Sequence, residues 1–262
     1  MKKRTRFGSW NGLRNERPQM AARLLHSASA AFPFRSGRLS ISGATANGLA
    51  ETDAFDVVID DQGELCAFVV KATAAGEARP GLAAGALAVT RVALKSRLPM
   101  YEIVADIRRF GAREQDAQIG LSLIRFSPRD SRVELLIAGM PPVVRLLPGS
   151  DTTLYPALSG PIGVRFGEVH PYELSSLVWG GAWLLTSDGV TGGSHDTAEL
   201  ARRVAGSELE RRAFDLADEP SPTLQGLVTD VAGEGAADTD RTVLIVHANP
   251  NRRPESGIES RG

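Results

Sequence analysis

Acidic residues stand beside several predicted strands and are the first candidates for chemistry in this sequence. Asp53 and Asp56 open one strand, Asp188 follows another, and Asp238 and Asp240 precede the last one. Carboxylate oxygens are the ligands that Mg²⁺ and Mn²⁺ prefer in proteins. Acids at strand ends are also ordinary turn residues, so the pattern alone is a weak prediction of a hard-cation site.

Other common catalytic signatures are missing from the sequence. It contains no Walker loop, no dinucleotide fingerprint, no zinc-protease helix and no Gly-x-Ser-x-Gly elbow. The single cysteine, Cys66, lies in an apolar run and is interpreted as a core thiol. The four histidines are scattered along the chain. The acids therefore remain the main candidates for catalysis.

The strands that would position these acids are predicted from alternating or continuous apolar runs. An Asp-Asp-Gln-Gly stretch at residues 60–63 predicts a hairpin turn between the second and third of them. The predicted strands are Arg38–Ser42, Phe55–Ile59, Leu65–Val70, Ala117–Phe126, Val133–Ala138, Val143–Leu147, Tyr172–Leu177, Trp183–Ser187 and Thr242–His247.

Helical periodicity interrupts the strands twice. In the first helix Leu82, Leu87, Val89, Val92 and Leu94 are predicted to form one apolar face, and Pro99 separates it from an antiparallel neighbour. The predicted helices are Glu77–Arg97, Pro99–Arg109, His195–Ala205, Ser207–Ala217 and Thr223–Gly233. This order of elements predicts an α+β fold of antiparallel sheets covered by helices.

Composition divides the chain into three parts. Residues 1–37 are predicted to be a basic arm, residues 38–248 a folded domain, and residues 249–262 a disordered tail rich in Pro, Arg, Ser and Gly. The formal net charge of −1 supplies no overall attraction to nucleic acid or to an acidic membrane. No stretch approaches the roughly 20 apolar residues of a membrane span. A cytoplasmic protein is therefore expected.

Five motifs, in order, resemble those of the metal-dependent serine/threonine protein phosphatases, the PPM superfamily. The resemblance is to the branch that includes the sporulation stage II E phosphatase and the stress-response regulators, and it covers about residues 38–248. The motifs are Ser42–Thr45 with Glu51–Phe55, Phe68–Gly76, Ala138–Pro142 with Ser159–Gly163, Trp179–Val190, and Thr239–Val246.

The resemblance implies a β-sandwich flanked by helix pairs and a site for two Mg²⁺ or Mn²⁺ ions. Such ions activate a water molecule that attacks phosphoserine or phosphothreonine. By the same resemblance Asp53 and Asp188 match metal ligands, and Ala72 matches a residue whose backbone carbonyl helps to hold a metal. Asp240 or Asp238 would serve as the closing acid only if the strand end shifts.

Lys71 is the main departure from the family pattern, because it stands where the resemblance implies a metal-bridging Asp. An ammonium between Asp53 and Asp188 would supply the positive charge that metal otherwise supplies, and would repel a divalent ion. The sequence therefore predicts a Lys71–Asp53–Asp188 ion cluster. The alternative is that Lys71 turns to solvent and one metal, Mn²⁺ or Mg²⁺, still binds.

Three functions remain open at this stage. The first is a phosphatase-fold regulator with weak or lost catalysis that recognises a phosphorylated or switch regulatory protein, a partner class implied by the resemblance alone. Its Lys71 could still attract a phosphate dianion. The second is an active Mn²⁺-dependent phosphoserine/phosphothreonine phosphatase. The third is a non-catalytic scaffold that uses the basic arm.

Overall fold

The computed structural model describes residues 34–36, 38–46, 52–60, 62–74, 77–78, 80–127, 132–147, 152–163, 170–174, 180–190 and 240–248. The strands in these ranges are β1 Phe34–Ser36, β2 Leu39–Ala46, β3 Asp53–Ile59, β4 Leu65–Ala74, β5 Glu77–Ala78, β6 Ala117–Ser127, β7 Arg132–Ala138, β8 Val143–Leu146, β9 Thr153–Tyr155, β10 Ile162–Gly163, β11 Tyr172–Leu174, β12 Ala182–Thr186 and β13 Arg241–Ala248. The helices are α1 Pro80–Lys95 and α2 Met100–Gly111.

The strands form two antiparallel sheets. One has the order β1-β2-β13-β12-β8-β9; the other has the order β11-β7-β6-β4-β3, with β10 paired to β6 and β5 paired to β4. The predicted α+β class is confirmed. The first sheet begins with β1, which lies inside the segment interpreted from composition as a basic arm.

Strand β4 shows how the second sheet is buried on both faces. Ala67 and Val69 pack in a core that also contains Trp183 and Leu244 of the other sheet. Phe68 lies on the opposite face of β4 and packs, together with Val70 and Ala72, against α1 and α2. Successive side chains of a strand point to opposite faces, so one strand contributes to two cores. The sheets therefore form a sandwich, with the helix pair on the outer face of the second sheet.

The predicted hairpin turn between β3 and β4 is present. The carboxylate oxygen Oδ1 of Asp60 accepts the backbone N–H groups of Gln62 and Glu64, both at 2.9 Å. Gly63 has φ +82°, a conformation that glycine adopts without steric cost. The turn sets the β3–β4 register, in which Asp53 lies opposite Lys71.

Helix α1 begins three residues later than predicted, at Pro80, and Glu77–Ala78 forms strand β5 instead. Proline has no N–H to donate and suits the first turn of a helix. The predicted apolar face is correct except at Val92, which is 65% exposed. Val92 lies five residues after Leu87, about 140° around the helix axis from it, and is therefore outside the buried face of the helix.

The two helices are antiparallel, as predicted. Gly85, near the start of α1, packs so closely on the Phe110 ring near the end of α2 that a Cβ atom there would clash with the ring. None of the helices in the described ranges is both long and apolar enough to cross a membrane. Several predicted features lie outside the described residues. They are the helices predicted at residues 195–233, most of the basic arm, the end of the strand predicted at Tyr172–Leu177, Asp238, Thr239 and the predicted tail.

Candidate active site

Asp53 and Lys71 lie on the inner face of the sandwich, at one end of it. Strand alternation puts Asp53 on the same face as Phe55, and Lys71 on the same face as Val69, and both apolar residues belong to the core between the sheets. The β3–β4 register places Asp53 directly opposite Lys71. Residues that are directly opposite in an antiparallel pair have Cβ atoms about 5 Å apart.

Asp188 comes to this pair from the other sheet and forms an ion pair with Lys71. The Lys71 Nζ atom contacts the Asp188 Oδ1 atom, and the two side chains are 19% and 24% exposed. Strand β12 ends at Thr186, and the backbone N–H of Ser187 donates to the Thr242 carbonyl at 2.9 Å. This bond holds the end of β12 beside β13 and so positions Asp188.

Asp240 anchors the start of β3 from the residue before β13. Its Oδ2 atom accepts hydrogen bonds from the backbone N–H groups of Thr52 and Asp53, the latter at 3.1 Å, and from the Thr52 hydroxyl at 3.2 Å. The Ser187 hydroxyl accepts the Thr242 N–H at 2.9 Å and lies 3.3 Å from the Asp240 carbonyl. The Oδ2 atom of Asp240 therefore has a structural role, because it holds the start of β3 beside the start of β13.

Burial raises the pKa of Asp53 from 3.8 to about 7. The Lys71 ammonium and a hydrogen bond from Ser187 act in the opposite direction, while the carboxylates of Asp240 and Asp188 raise the pKa further. Loss of hydration disfavours the charged form of a buried acid. Loss of hydration therefore outweighs the lowering of the Asp53 pKa by the Lys71 ammonium and the Ser187 hydrogen bond.

Two carboxylate oxygens at the site have no hydrogen-bond partner among the described residues. They are Asp53 Oδ2 and Asp240 Oδ1, and both are buried. Within the described ranges, however, no group of three or more His, Cys, Asp or Glu side chains has an arrangement that would hold a metal ion. Because Lys71 also places an ammonium against Asp188, the described residues of this cluster do not fit the two-metal centre that the family resemblance implies.

The remaining predicted site residues are placed as follows. Ala72 is fully buried on the helix-facing side of β4, and its N–H donates to the Thr52 carbonyl at 3.1 Å. Strand β4 continues through it to Ala74, four residues beyond the predicted end. Asp56 lies on the opposite face of β3 from Asp53, where its Oδ2 is 3.0 Å from Arg91 Nη1. Asp56 is therefore not part of the cluster.

Thr52 and Ser187 belong to the site and were not recognised as functional candidates in the sequence. Each directly precedes an acid of the cluster and lies within one of the motifs that resemble the family, and these are the sequence signals that pointed to them. Cys66, by contrast, faces the helices, and burial raises the pKa of its thiol to about 11. It stays a protonated core thiol, in agreement with the sequence interpretation.

The fold is similar to solved phosphatase structures. The PP2C phosphatase domain with a fragment of the regulatory domain of SpoIIE from Bacillus subtilis aligns with a TM-score of 0.63 and 20% identity, over 82% of this chain and 63% of that one. The RsbU and RsbW domains of a Mycobacterium tuberculosis protein align with a TM-score of 0.62 and 16% identity, over 85% and 62%.

A third similar structure is the catalytic domain of the serine threonine protein phosphatase PstP in complex with 2 manganese ions. It aligns with a TM-score of 0.56 and 13% identity, over 80% of this chain and 98% of that one. At these identities the likeness is one of fold. The chain spans less than two thirds of the length of the first two structures. No curated protein sequence matches the chain significantly.

A sequence family gives the more specific assignment. The model of the family described as Stage II sporulation protein E (SpoIIE) matches residues 72–249, which is more than half of the 262 residues. The match includes β4 from Ala72 onward, the helix pair and the strands that carry Asp188 and Asp240. The chain therefore belongs to the SpoIIE family.

Proposed function

We propose that this chain is a phosphatase-fold signalling protein in which phosphate ester hydrolysis is weak or lost, and which regulates a bacterial signalling partner. The observation that carries the proposal is the ion pair between Lys71 and Asp188. Lys71 stands where the family resemblance implies an acid that bridges two metal ions. An amine at that position replaces a ligand for cations with a cation.

The charge of Lys71 acts directly against metal binding. Two unit charges about 4 Å apart interact by about 4 kcal/mol at an effective dielectric constant of about 20, and a divalent ion doubles that repulsion. The Asp188 carboxylate is neutralised by the same ammonium and so attracts a metal less strongly. Both effects lower the affinity of this end of the sandwich for Mn²⁺ or Mg²⁺.

The charges around Lys71 also determine whether a phosphate group of a partner could bind there. Lys71 is paired with Asp188, and the carboxylates of Asp53 and Asp240 lie beside it. A phosphate dianion that approached Lys71 would meet more negative than positive charge. We therefore infer that a phosphorylated or switch regulatory protein is recognised through the protein surface rather than through a phosphate on Lys71. The similar SpoIIE structure, which contains a fragment of a regulatory domain, offers a precedent for a regulatory setting.

The test is turnover of p-nitrophenyl phosphate with Mn²⁺. The variants are Lys71→Asp and Asp188→Ala, and the matched control is Lys95→Asp at the exposed end of α1. We expect no turnover by the wild type or the control, and turnover together with calorimetric Mn²⁺ binding by Lys71→Asp. Mn²⁺-dependent turnover by the wild type that Asp188→Ala abolishes would overturn the proposal.

One observation favours a second candidate, an active Mn²⁺-dependent phosphoserine/phosphothreonine phosphatase. Asp53 Oδ2 and Asp240 Oδ1 are buried oxygens without hydrogen-bond partners among the described residues. Such oxygens are suited to a cation. The turnover assay separates the two functions, because the second requires activity in the wild type.

A further inference from the structure

Arg145 on β8 is a half-buried cation in an unusual setting. Its register partner across the strand pair is Trp183 of β12, and the guanidinium carbon Cζ lies 5.1 Å from the centre of the Trp183 ring. Its Nε atom is buried and donates to no acceptor, and no described residue forms an ion pair or a hydrogen bond with Arg145. Burial without a charged partner is rare for arginine.

Arg125 shows how the same fold satisfies a buried arginine. Its Nη1 atom donates to Glu134 Oε2 at 3.2 Å, and its Nη2 atom donates to the Leu98 carbonyl at 2.8 Å. Both Arg125 and Arg145 lie in strands, but only Arg125 has protein acceptors among the described residues. The unmet hydrogen-bonding capacity of Arg145 is therefore a local feature and not a general property of this fold.

Trp183 supplies a second unmet donor beside the first. Its side chain is fully buried, and its Nε1 atom has no hydrogen-bond acceptor among the described residues. The ring is held by Tyr155, stacked at 5.7 Å with an interplanar angle of 30°, and by the edge of Phe126 at 6.4 Å. A buried N–H without an acceptor has lost its hydrogen bond to water, so an acceptor that reached it would bind favourably.

Tyr155, which stacks on Trp183, also contacts a second tyrosine, Tyr172. Tyr155 and Tyr172 are half-buried, and their rings meet edge to face at 5.6 Å. The Tyr172 hydroxyl donates to the Pro156 carbonyl at 2.9 Å, which fixes that ring. Tyr172 thus helps to hold Tyr155 against Trp183, and both tyrosines remain partly exposed to solvent.

We propose that Arg145 and Trp183 form a binding site for a carboxylate group. A guanidinium accepts a planar carboxylate with two parallel hydrogen bonds, and the indole N–H adds a further donor. One cation balances a carboxylate monoanion, whereas a phosphate dianion between apolar rings would keep an uncompensated charge. The carboxylate belongs either to a small organic acid or to a Glu or Asp side chain of a partner protein.

The site is independent of the Lys71 cluster. Trp183 is the second residue of β12, and Asp188 follows the other end of that strand. The two sites therefore lie toward opposite ends of the sandwich, and neither shares a residue with the other. If the proposed regulatory function were wrong, the proposal of a carboxylate site would be unaffected. If the carboxylate site were wrong, the proposed regulatory function would be unaffected.

The test is a nuclear magnetic resonance titration of the full chain, followed on the indole N–H of Trp183, which Trp183→Phe assigns. Sodium benzoate is the small-acid probe, and benzamide is its neutral control. An N-acetylated, C-amidated Gly-Glu-Gly peptide tests a protein side chain, with Gly-Gln-Gly as its control. We expect saturable shifts with benzoate, with the Glu peptide or with both, and none with the amides.

Two variants decide whether Arg145 binds the probe. Arg145→Lys keeps the charge but removes the fork of donors, and we expect its Kd to rise at least tenfold. Arg145→Met should abolish the shift, while the exposed Arg132→Met should leave it unchanged. Inorganic phosphate is titrated as a further probe. The proposal would be overturned if neither carboxylate gave a saturable shift, if the amides gave an equal response, or if only phosphate gave a response. It would also be overturned if both Arg145 variants folded and responded as the wild type does.

Discussion

The ion pair between Lys71 and Asp188 should stabilise the fold, and a double-mutant cycle measures by how much. The variants are Lys71→Met, Asp188→Asn and the double substitution. Lys71→Met removes the ammonium but leaves the carboxylates of Asp188, Asp53 and Asp240 at one end of the sandwich. The double variant removes both charges of the pair. The coupling energy isolates their interaction.

The magnitude follows from the burial of the pair. Its two side chains are 19% and 24% exposed, between a surface pair and a fully buried one. Exposed pairs contribute about 0–1 kcal/mol, and breaking a buried pair costs about 3–5 kcal/mol. We therefore expect Lys71→Met to lower the free energy of unfolding by about 3 kcal/mol, with a coupling to Asp188 of about 2 kcal/mol.

The assay is urea unfolding at pH 7.5 with a chelator present, followed by far-ultraviolet circular dichroism. The matched control is the exposed pair Asp106–Arg109 on α2, whose side chains are 28% and 77% exposed and whose coupling should stay below about 0.5 kcal/mol. A Lys71–Asp188 coupling no larger than that of the control would refute the argument, because the ammonium would then not interact with Asp188 in solution.

Two further predictions concern burial and backbone geometry. The pKa of Asp53 rises from 3.8 to about 7 on folding, so the folded protein binds more protons than the unfolded chain, and stability falls between about pH 4 and pH 7. Asp53→Asn should remove about 2–3 kcal/mol of the loss between pH 5 and pH 8 in urea unfolding; identical slopes for both proteins would contradict this. Gly139 has φ +57°, and a Cβ there would lie 2.5 Å from the Pro161 backbone. Gly139→Ala should lower stability by about 2–3 kcal/mol, whereas Gly160→Ala, which meets nothing within 4 Å, should change it little; equal thermal midpoints would contradict the reasoning.

The longer elements were predictable because their signals are local. Runs of apolar residues predicted β3, β6 and β7 to within two residues, and the Asp60–Gly63 turn determined the hairpin register that sets Asp53 against Lys71. The short strands β5, β9 and β10 were missed, because two or three residues carry no measurable period. The start of α1 was misplaced for a similar reason, since helix ends carry a weaker signal than helix interiors.

What the sequence by itself determined was the family pattern and the residue types at the site, above all a lysine where a bridging acid is implied. The tertiary structure decided which residues meet. Asp188 and Asp240 reach Asp53 and Lys71 from the other sheet, more than 100 residues along the chain. Likewise, Arg145 stands over a tryptophan only through the β8–β12 register. Such contacts depend on sheet pairing between distant segments, which no local period encodes.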